Sequence, residues 1–327
     1  MPDGVRFWLI RLMQGIGFFF IKHTTEREAV HMKKNPIFRG VATALITPCT
    51  DAGLDLDSFG KLIDWQIEQG VNALVIAGTT GEGSTLTDEE HRLAIKFSVE
   101  RTAGRVPVIA GTGSNDTSYA ISLTKYACDV GADAMLVVTP YYNKATQKGL
   151  VTMYNAIADA SAKPIILYNV PSRTGVNIEP ATYVKLAEHP NIAAIKEANS
   201  NISKIVEAAA LIGDKLDIYS GNDDQIVPIM SMGGLGVISV LSNVAPVQTT
   251  EICKRFFKGD VAGAAKLQGE MLPLIKALFC EVNPIPVKAA MAAMGWCKNY
   301  VRLPLTPMEE EHFDSMLDVM RSMGLIK

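Results

Sequence analysis

From Gly40 onward the chain alternates between short, almost wholly apolar runs and longer stretches in which apolar residues recur every three or four positions. Strand-length runs alternating with amphipathic helical patterns predict repeated βα units rather than an antiparallel sheet. Eight runs have strand character: 41–47 (VATALIT), 73–78 (ALVIAG), 106–111 (VPVIAG), 134–139 (AMLVVT), 164–168 (PIILY), 192–196 (IAAIK), 216–220 (LDIYS) and 236–240 (GVISV). They lack polar alternation, as parallel strands buried on both faces do. Eight such units predict an α/β fold, a closed (β/α)8 TIM barrel, with a doubly wound sheet as the alternative. Thr87 followed by Glu90 predicts a capping box, and Asp57 and Asn115 are expected at helix N-caps. After about residue 259 the strand signals stop. Residues 35–259 are thus expected to form the barrel, and residues 260–327 a C-terminal helical subdomain broken at Pro284, Pro286, Pro304 and Pro307.

Residues 1–34 differ from the rest, carrying net charge +3 against −6 for the remainder, and are expected to lie outside the fold. Their uncharged stretch 12–21 is bounded by Arg11 and Lys22, too short to span a bilayer, and no small-residue cleavage site of a secretory signal follows it. The expectation is a start of translation at Met32, whose MKKNPIFRG leads straight to the first strand. A native peptide spanning Arg11 to His31 would contradict it.

With 48% hydrophobic and 20% charged residues, the 327-residue chain can bury a large core and does not have the composition of a disordered protein. A formal net charge of −3, with no basic cluster, argues against nucleic acid as a partner. The five cysteines contain no CxxC pair and the five histidines no i, i+4 pair, so neither a disulfide framework, a metal site nor a cofactor is expected, and a reducing cytoplasm fits best.

A barrel carries its chemistry at the C-terminal ends of its strands. There the sequence places GTTGEG at 78–83, GTG at 111–113, PYYN at 140–143, YNVPSRTG at 168–175, Lys196-Glu197 and SGND at 220–223. Lys196 closes the apolar run IAAI, and burial favours the neutral amine that attacks a carbonyl carbon to make a Schiff base. A lysine snorkelling to solvent beside Glu197 is the other reading of the same position. Tyr168, at the same level on the neighbouring strand, could pass a proton through a hydroxyl of Thr79 or Thr80, and Arg173 suits a carboxylate. GTTGEGS lacks the lysine of a P-loop. Gly221 and Gly236 are read as allowing close backbone approach to a carboxylate.

Taken together, GTTGEGSTLT at 78–87, TPYYN at 139–143, YNVPSRTG, IKEA at 195–198, SGND and NPIPVK at 283–288 resemble the dihydrodipicolinate synthase family from Asn35 to the C-terminus. The resemblance implies a lyase of diaminopimelate and lysine biosynthesis. In it, Lys196 forms a Schiff base with pyruvate, and the enamine attacks L-aspartate 4-semialdehyde. Thr79, Tyr168 and Tyr142 would relay protons, Tyr142 reaching into a neighbouring subunit of a homotetramer. Thr80, Gly221 and the backbone of Ile238 would hold pyruvate, and Arg173 the semialdehyde carboxylate. N-acetylneuraminate lyase and 2-keto-3-deoxygluconate aldolase share the lysine chemistry, but SRTG at 172–175 favours the synthase. A barrel that only binds a keto acid would not need Lys196, Tyr168, Thr79 and Arg173 together.

Relatives inhibited by lysine bind it through histidines, an asparagine, a serine and an acidic residue. His91 and Asn115 match that pattern, whereas Asp88, Tyr119 and Gly83 replace a histidine, the acidic residue and the serine. Removing the acidic partner of the inhibitor's ammonium predicts little or no feedback: activity should hold as lysine is titrated, and strong inhibition at submillimolar lysine would contradict this.

Overall fold

The computed structural model describes residues 36–327, so the expectations for residues 1–34 lie outside the described residues. Eight parallel strands close into a barrel: β1 Gly40–Ala44, β2 Ala73–Ile76, β3 Val108–Gly111, β4 Ala134–Val138, β5 Ile165–Asn169, β6 Ile192–Glu197, β7 Asp217–Ser220 and β8 Gly236–Ser239. They run in sequence order around the barrel, and β8 pairs with β1 to close it. Each expected run holds one strand. A short antiparallel pair, Cys49–Thr50 with Gly53–Leu54, was not anticipated.

Side chains on a strand alternate between its two faces. One set, including Ala42, Val75, Ile109, Leu136, Ile166 and Ile238, fills the barrel interior, and the other packs outward against the helices. On β5 the inner set is Ile166, Tyr168 and then Val170, while on β6 Ala194 and Ala198 flank Lys196. Small alanines on β6 leave room inside the barrel for the long chain between them. At the opposite end Phe38 stacks on Tyr219 with ring centroids 4.1 Å apart, and Tyr219 donates to the Phe38 carbonyl at 2.7 Å.

Gly236 corrects an expectation. It lies at the start of β8, in register with Gly40, at the barrel end away from the polar loops. Its φ of +142° and the Gly40 backbone, which any Cβ would strike, explain the glycine as a requirement of barrel closure. Two caps also differ. The helix Leu56–Glu68 is capped by Asp55, which accepts from the Ser58 N–H at 3.0 Å, while Asp57 is already in the first turn. The helix Thr117–Asp129 is capped by Asp116, and Asn115 instead donates to the Tyr141 carbonyl at 3.2 Å. The Thr87–Glu90 capping box is present as expected.

Beyond the barrel strands come the helices Pro246–Phe257, Val261–Ala277, Ile285–Ala293 and Glu310–Ser322. Pro286 falls in a first turn, where its missing N–H costs nothing, rather than breaking a helix; Pro273 sits inside one. This C-terminal part reaches back to the barrel in several places. Gln268 accepts from the Val227 N–H and donates to the Asp224 carbonyl, both at 2.8 Å. Lys288, wholly buried, pairs with buried Glu82 of the loop after β2, which also accepts from the Arg302 N–H at 3.2 Å, and the Arg302 guanidinium grips Glu90. Removing one member of such a buried pair typically costs about 3–5 kcal/mol, so the loop is pinned rather than free. Among the described residues no helix is long and apolar enough to cross a membrane, and no cluster of three metal-ligating side chains occurs.

Candidate active site

The loops after the strands enclose a cavity of about 650 Å³, whose wall includes Thr79, Tyr141, Tyr168, Arg173, His91 and Tyr119. Three of the residues assigned to catalysis or substrate binding therefore share it, Thr79, Tyr168 and Arg173. Lys196 lies just behind that wall. β5 and β6 are in register with Tyr168 opposite Lys196, and the Lys196 Nζ sits 4.2 Å from the centroid of the Tyr168 ring. At 6% exposure Lys196 does not snorkel to solvent. An ammonium or amine against a phenol ring is held by packing and by the ring's negative face.

Glu197 points to the opposite face of β6 and is no partner for that amine. Its carboxyl accepts from Tyr183 Oη at 2.7 Å, from Asn169 Nδ2 at 3.0 Å and from the Asn199 N–H at 2.8 Å. None of these partners is charged, and burial pushes the carboxyl up to about 7 in spite of them. The network fixes the end of β6 from outside the barrel and so fixes Lys196. Asp223 plays the matching part for β7 and β8, accepting from Ser239 Oγ at 2.5 Å and from the Val240 and Leu241 N–H groups at 3.0 and 2.8 Å. Burial raises its carboxyl too, while those hydrogen bonds and the charge of Lys196 act the other way.

The loop after β2 turns sharply. Ala77 at φ +53° and Glu82 at φ +56° hold left-handed conformations rare for residues with a side chain, and the Gly83 N–H donates to the Gly78 carbonyl at 3.1 Å. This turn sets half-buried Thr79 on the cavity wall and buries Thr80 beneath it. Thr80, Gly221 and Ile238 are not part of the wall. The Gly221 N–H is already donated to the Glu197 carbonyl at 2.7 Å, and a Cβ there would come within 2.7 Å of the Ala198 side chain, so the glycine lets the end of β7 lie close against the end of β6 and offers no free donor. Ile238 is fully buried among the inner side chains of the barrel.

Tyr142 is not brought to the others. Its φ is +70° and the Asn143 N–H donates across it to the Tyr141 carbonyl at 2.9 Å, a γ-turn of the strained kind. The turn throws the ring outward, 92% exposed, while Tyr141 faces the cavity. The Asn115 and Asn143 side chains brace this turn, the latter donating to the Asn115 carbonyl at 3.0 Å. Of the residues compared with the lysine-binding pattern, buried His91 lies 2.8 Å from the Gly111 carbonyl, and Asp88 is engaged by Arg92 at 2.8 Å. Residues to which the sequence pattern gave no role also matter here. Tyr141 and Asp223 carry no signal beyond their motifs, whereas Lys288, one charge in the apolar helix IPVKAAMAA, did carry one.

A sequence model described as the Dihydrodipicolinate synthetase family matches residues 37–322. The chain belongs to this family. As a member it is an enzyme, a lyase of diaminopimelate and lysine biosynthesis. It is 52% identical over 293 residues to a protein of Acetivibrio thermocellus named 4-hydroxy-tetrahydrodipicolinate synthase, covering 90% of this chain and all of that one. The dihydrodipicolinate synthase of Thermotoga maritima superposes with a TM-score of 0.87 at 43% identity, covering 89% of this chain and 100% of the other. A dihydrodipicolinate synthase variant described as monomeric gives a TM-score of 0.87 at 44% identity, covering 89% and 98%. The fold, the family and its enzymatic character thus agree with the sequence resemblance.

The Glu197 network makes a pH-dependent prediction. A carboxyl at about 7 in the folded chain, against an ordinary value of 4.5, favours the folded state fully below about pH 4.5, and that stability is lost as pH rises towards 7. Relative to the parent, Glu197→Gln should therefore gain about 3 kcal/mol in urea unfolding between pH 4.5 and pH 8. A difference independent of pH would contradict the assignment.

Proposed function

We propose that the enzyme condenses pyruvate with L-aspartate 4-semialdehyde, the reaction of 4-hydroxy-tetrahydrodipicolinate synthase. The observation that carries this is Lys196, buried at a strand end against the ring of Tyr168 and beside a cavity walled by Thr79 and Arg173. The Lys196 amine attacks C2 of pyruvate and water leaves, giving an iminium that draws electrons from C3. Loss of a C3 proton gives the enamine, which forms a carbon–carbon bond to the aldehyde carbon of the semialdehyde. The substrate's own amino group then adds to C2 and displaces the Lys196 amine, closing the ring.

In this proposal Thr79 and Tyr168 pass protons at the reacting atoms, and Tyr142, aimed out of its own subunit, completes the relay in a neighbouring copy within a cytoplasmic homotetramer. Thr80 donates to the pyruvate carboxylate, which Gly221 flanks, and the Ile238 backbone lines the same pocket. Arg173 holds the semialdehyde carboxylate from the short helix Pro171–Thr174, with Gly175 at φ +67° ending the turn. The barrel, residues 35–259, supplies all of these groups, and residues 260–327 buttress it. The proposal calls on no metal or organic cofactor.

Pyruvate consumption should be measured with aspartate semialdehyde, N-acetylmannosamine and glyceraldehyde side by side. The proposal requires a strong preference for the semialdehyde; preference for a sugar aldehyde would keep the lysine chemistry and overturn the substrate. In the same assay Arg173→Ala should weaken the semialdehyde about 10- to 200-fold, the worth of a charge-assisted contact, with little change towards pyruvate. Unchanged kinetics would remove Arg173 from its role.

A further inference from the structure

Asn283 reaches both arms of the site from outside the barrel. It lies between the helices Val261–Ala277 and Ile285–Ala293 and is 5% exposed. Its side-chain Nδ2 donates to Thr80 Oγ1 at 3.1 Å, and its main-chain carbonyl accepts from Arg173 Nη2 at 3.2 Å. Its own Oδ1 is buried and accepts no hydrogen bond among the described residues. One residue thus joins the hydroxyl assigned to the keto-acid carboxylate to the guanidinium assigned to the second substrate, by two different atoms.

The direction of the first bond matters. A threonine hydroxyl has one proton and two lone pairs, and a carboxylate can only accept. An amide N–H given to Thr80 Oγ1 takes up a lone pair and leaves the hydroxyl proton to be donated elsewhere. A hydroxyl that both accepts and donates is also polarised, which strengthens the donated bond. With an acceptor in place of that amide, the hydroxyl proton would turn towards residue 283 and the carboxylate would lose its donor.

We infer that Asn283 is a positioning residue with two separable tasks: its side-chain amide directs the Thr80 hydroxyl proton to the keto-acid carboxylate, and its carbonyl steadies Arg173 for the second substrate. The inference rests on the reaction proposed above. Because the two tasks use different atoms, side-chain substitutions should disturb the first and spare the second. A loop merely displaced by mutation would move the carbonyl as well and harm both.

The test is steady-state kinetics of Asn283→Asp and Asn283→Ala with each substrate varied in turn. Asn283→Asp substitutes an acceptor for the donor, and the KM for pyruvate should rise about 10-fold or more, at least about threefold further than the KM for the semialdehyde. Asn283→Ala should show the same split to a smaller degree, and in a Thr80→Ala background it should add nothing to the pyruvate KM, as a double-mutant cycle requires of coupled groups. An unchanged pyruvate KM, an equal rise in both KM values, or additive effects with Thr80→Ala would each overturn the inference. If Asn283→Asp does not fold, the alanine variant and the cycle decide it. Absence of turnover in the parent enzyme would instead defeat the proposed reaction, a result visible before any variant is made.

Discussion

The open end of the barrel depends on one register, Tyr168 of β5 level with Lys196 of β6. Barrel closure fixes that register, because eight strands that each pair with two neighbours cannot slip singly, and a slip of one residue would turn Lys196 out towards the helices. An amine inside an apolar barrel is costly to hold, and the structure accommodates it with a phenol ring of the cavity wall on one side and small alanines beside it on its own strand. Glu197 shows the complementary half of the constraint. Being next in the strand it must face outward, and the uncharged groups of Tyr183, Asn169 and Asn199 anchor it there without drawing on the lysine.

The loops that complete the site are held from the C-terminal part of the chain. The Glu82–Lys288 pair and the Arg302 grip on Glu90 pin the turn that carries Thr79 and Thr80, and Asn283 spans from that turn to Arg173. Conformations unfavourable in isolation, at Ala77 and Glu82, lie at the two sides of that same turn. Strain of this kind persists only where surrounding contacts over-determine the backbone, and here they do. The helices after residue 260 therefore act on the site through the loops they hold, although no barrel strand comes from them.

Much of this was legible in the sequence because it is written locally. Apolar runs and helical periodicity gave the eight strands, and the polar residues that interrupt them at one end marked Lys196, Tyr168, Thr79 and Arg173. The Thr87–Glu90 box was readable for the same reason. What stayed hidden depends on contacts between distant residues: Lys288 is 206 positions from Glu82, and Asn283 is 203 from Thr80. Capping by Asp55 and Asp116 rather than Asp57 and Asn115 turned on where the backbone becomes helical, which composition does not reveal. Gly236 looked like a site residue because a glycine beside a strand reads alike whether it clears a ligand or a neighbouring strand.

The central claim is that the buried Lys196 amine forms the covalent bond to the keto acid. Borohydride reduction of the enzyme in the presence of pyruvate alone, followed by peptide mass mapping, tests it without the second substrate. The account predicts one stable adduct on Lys196, absent from Lys196→Ala and matched by loss of activity. No adduct, or an adduct on another lysine with Lys196→Ala still active, would contradict it.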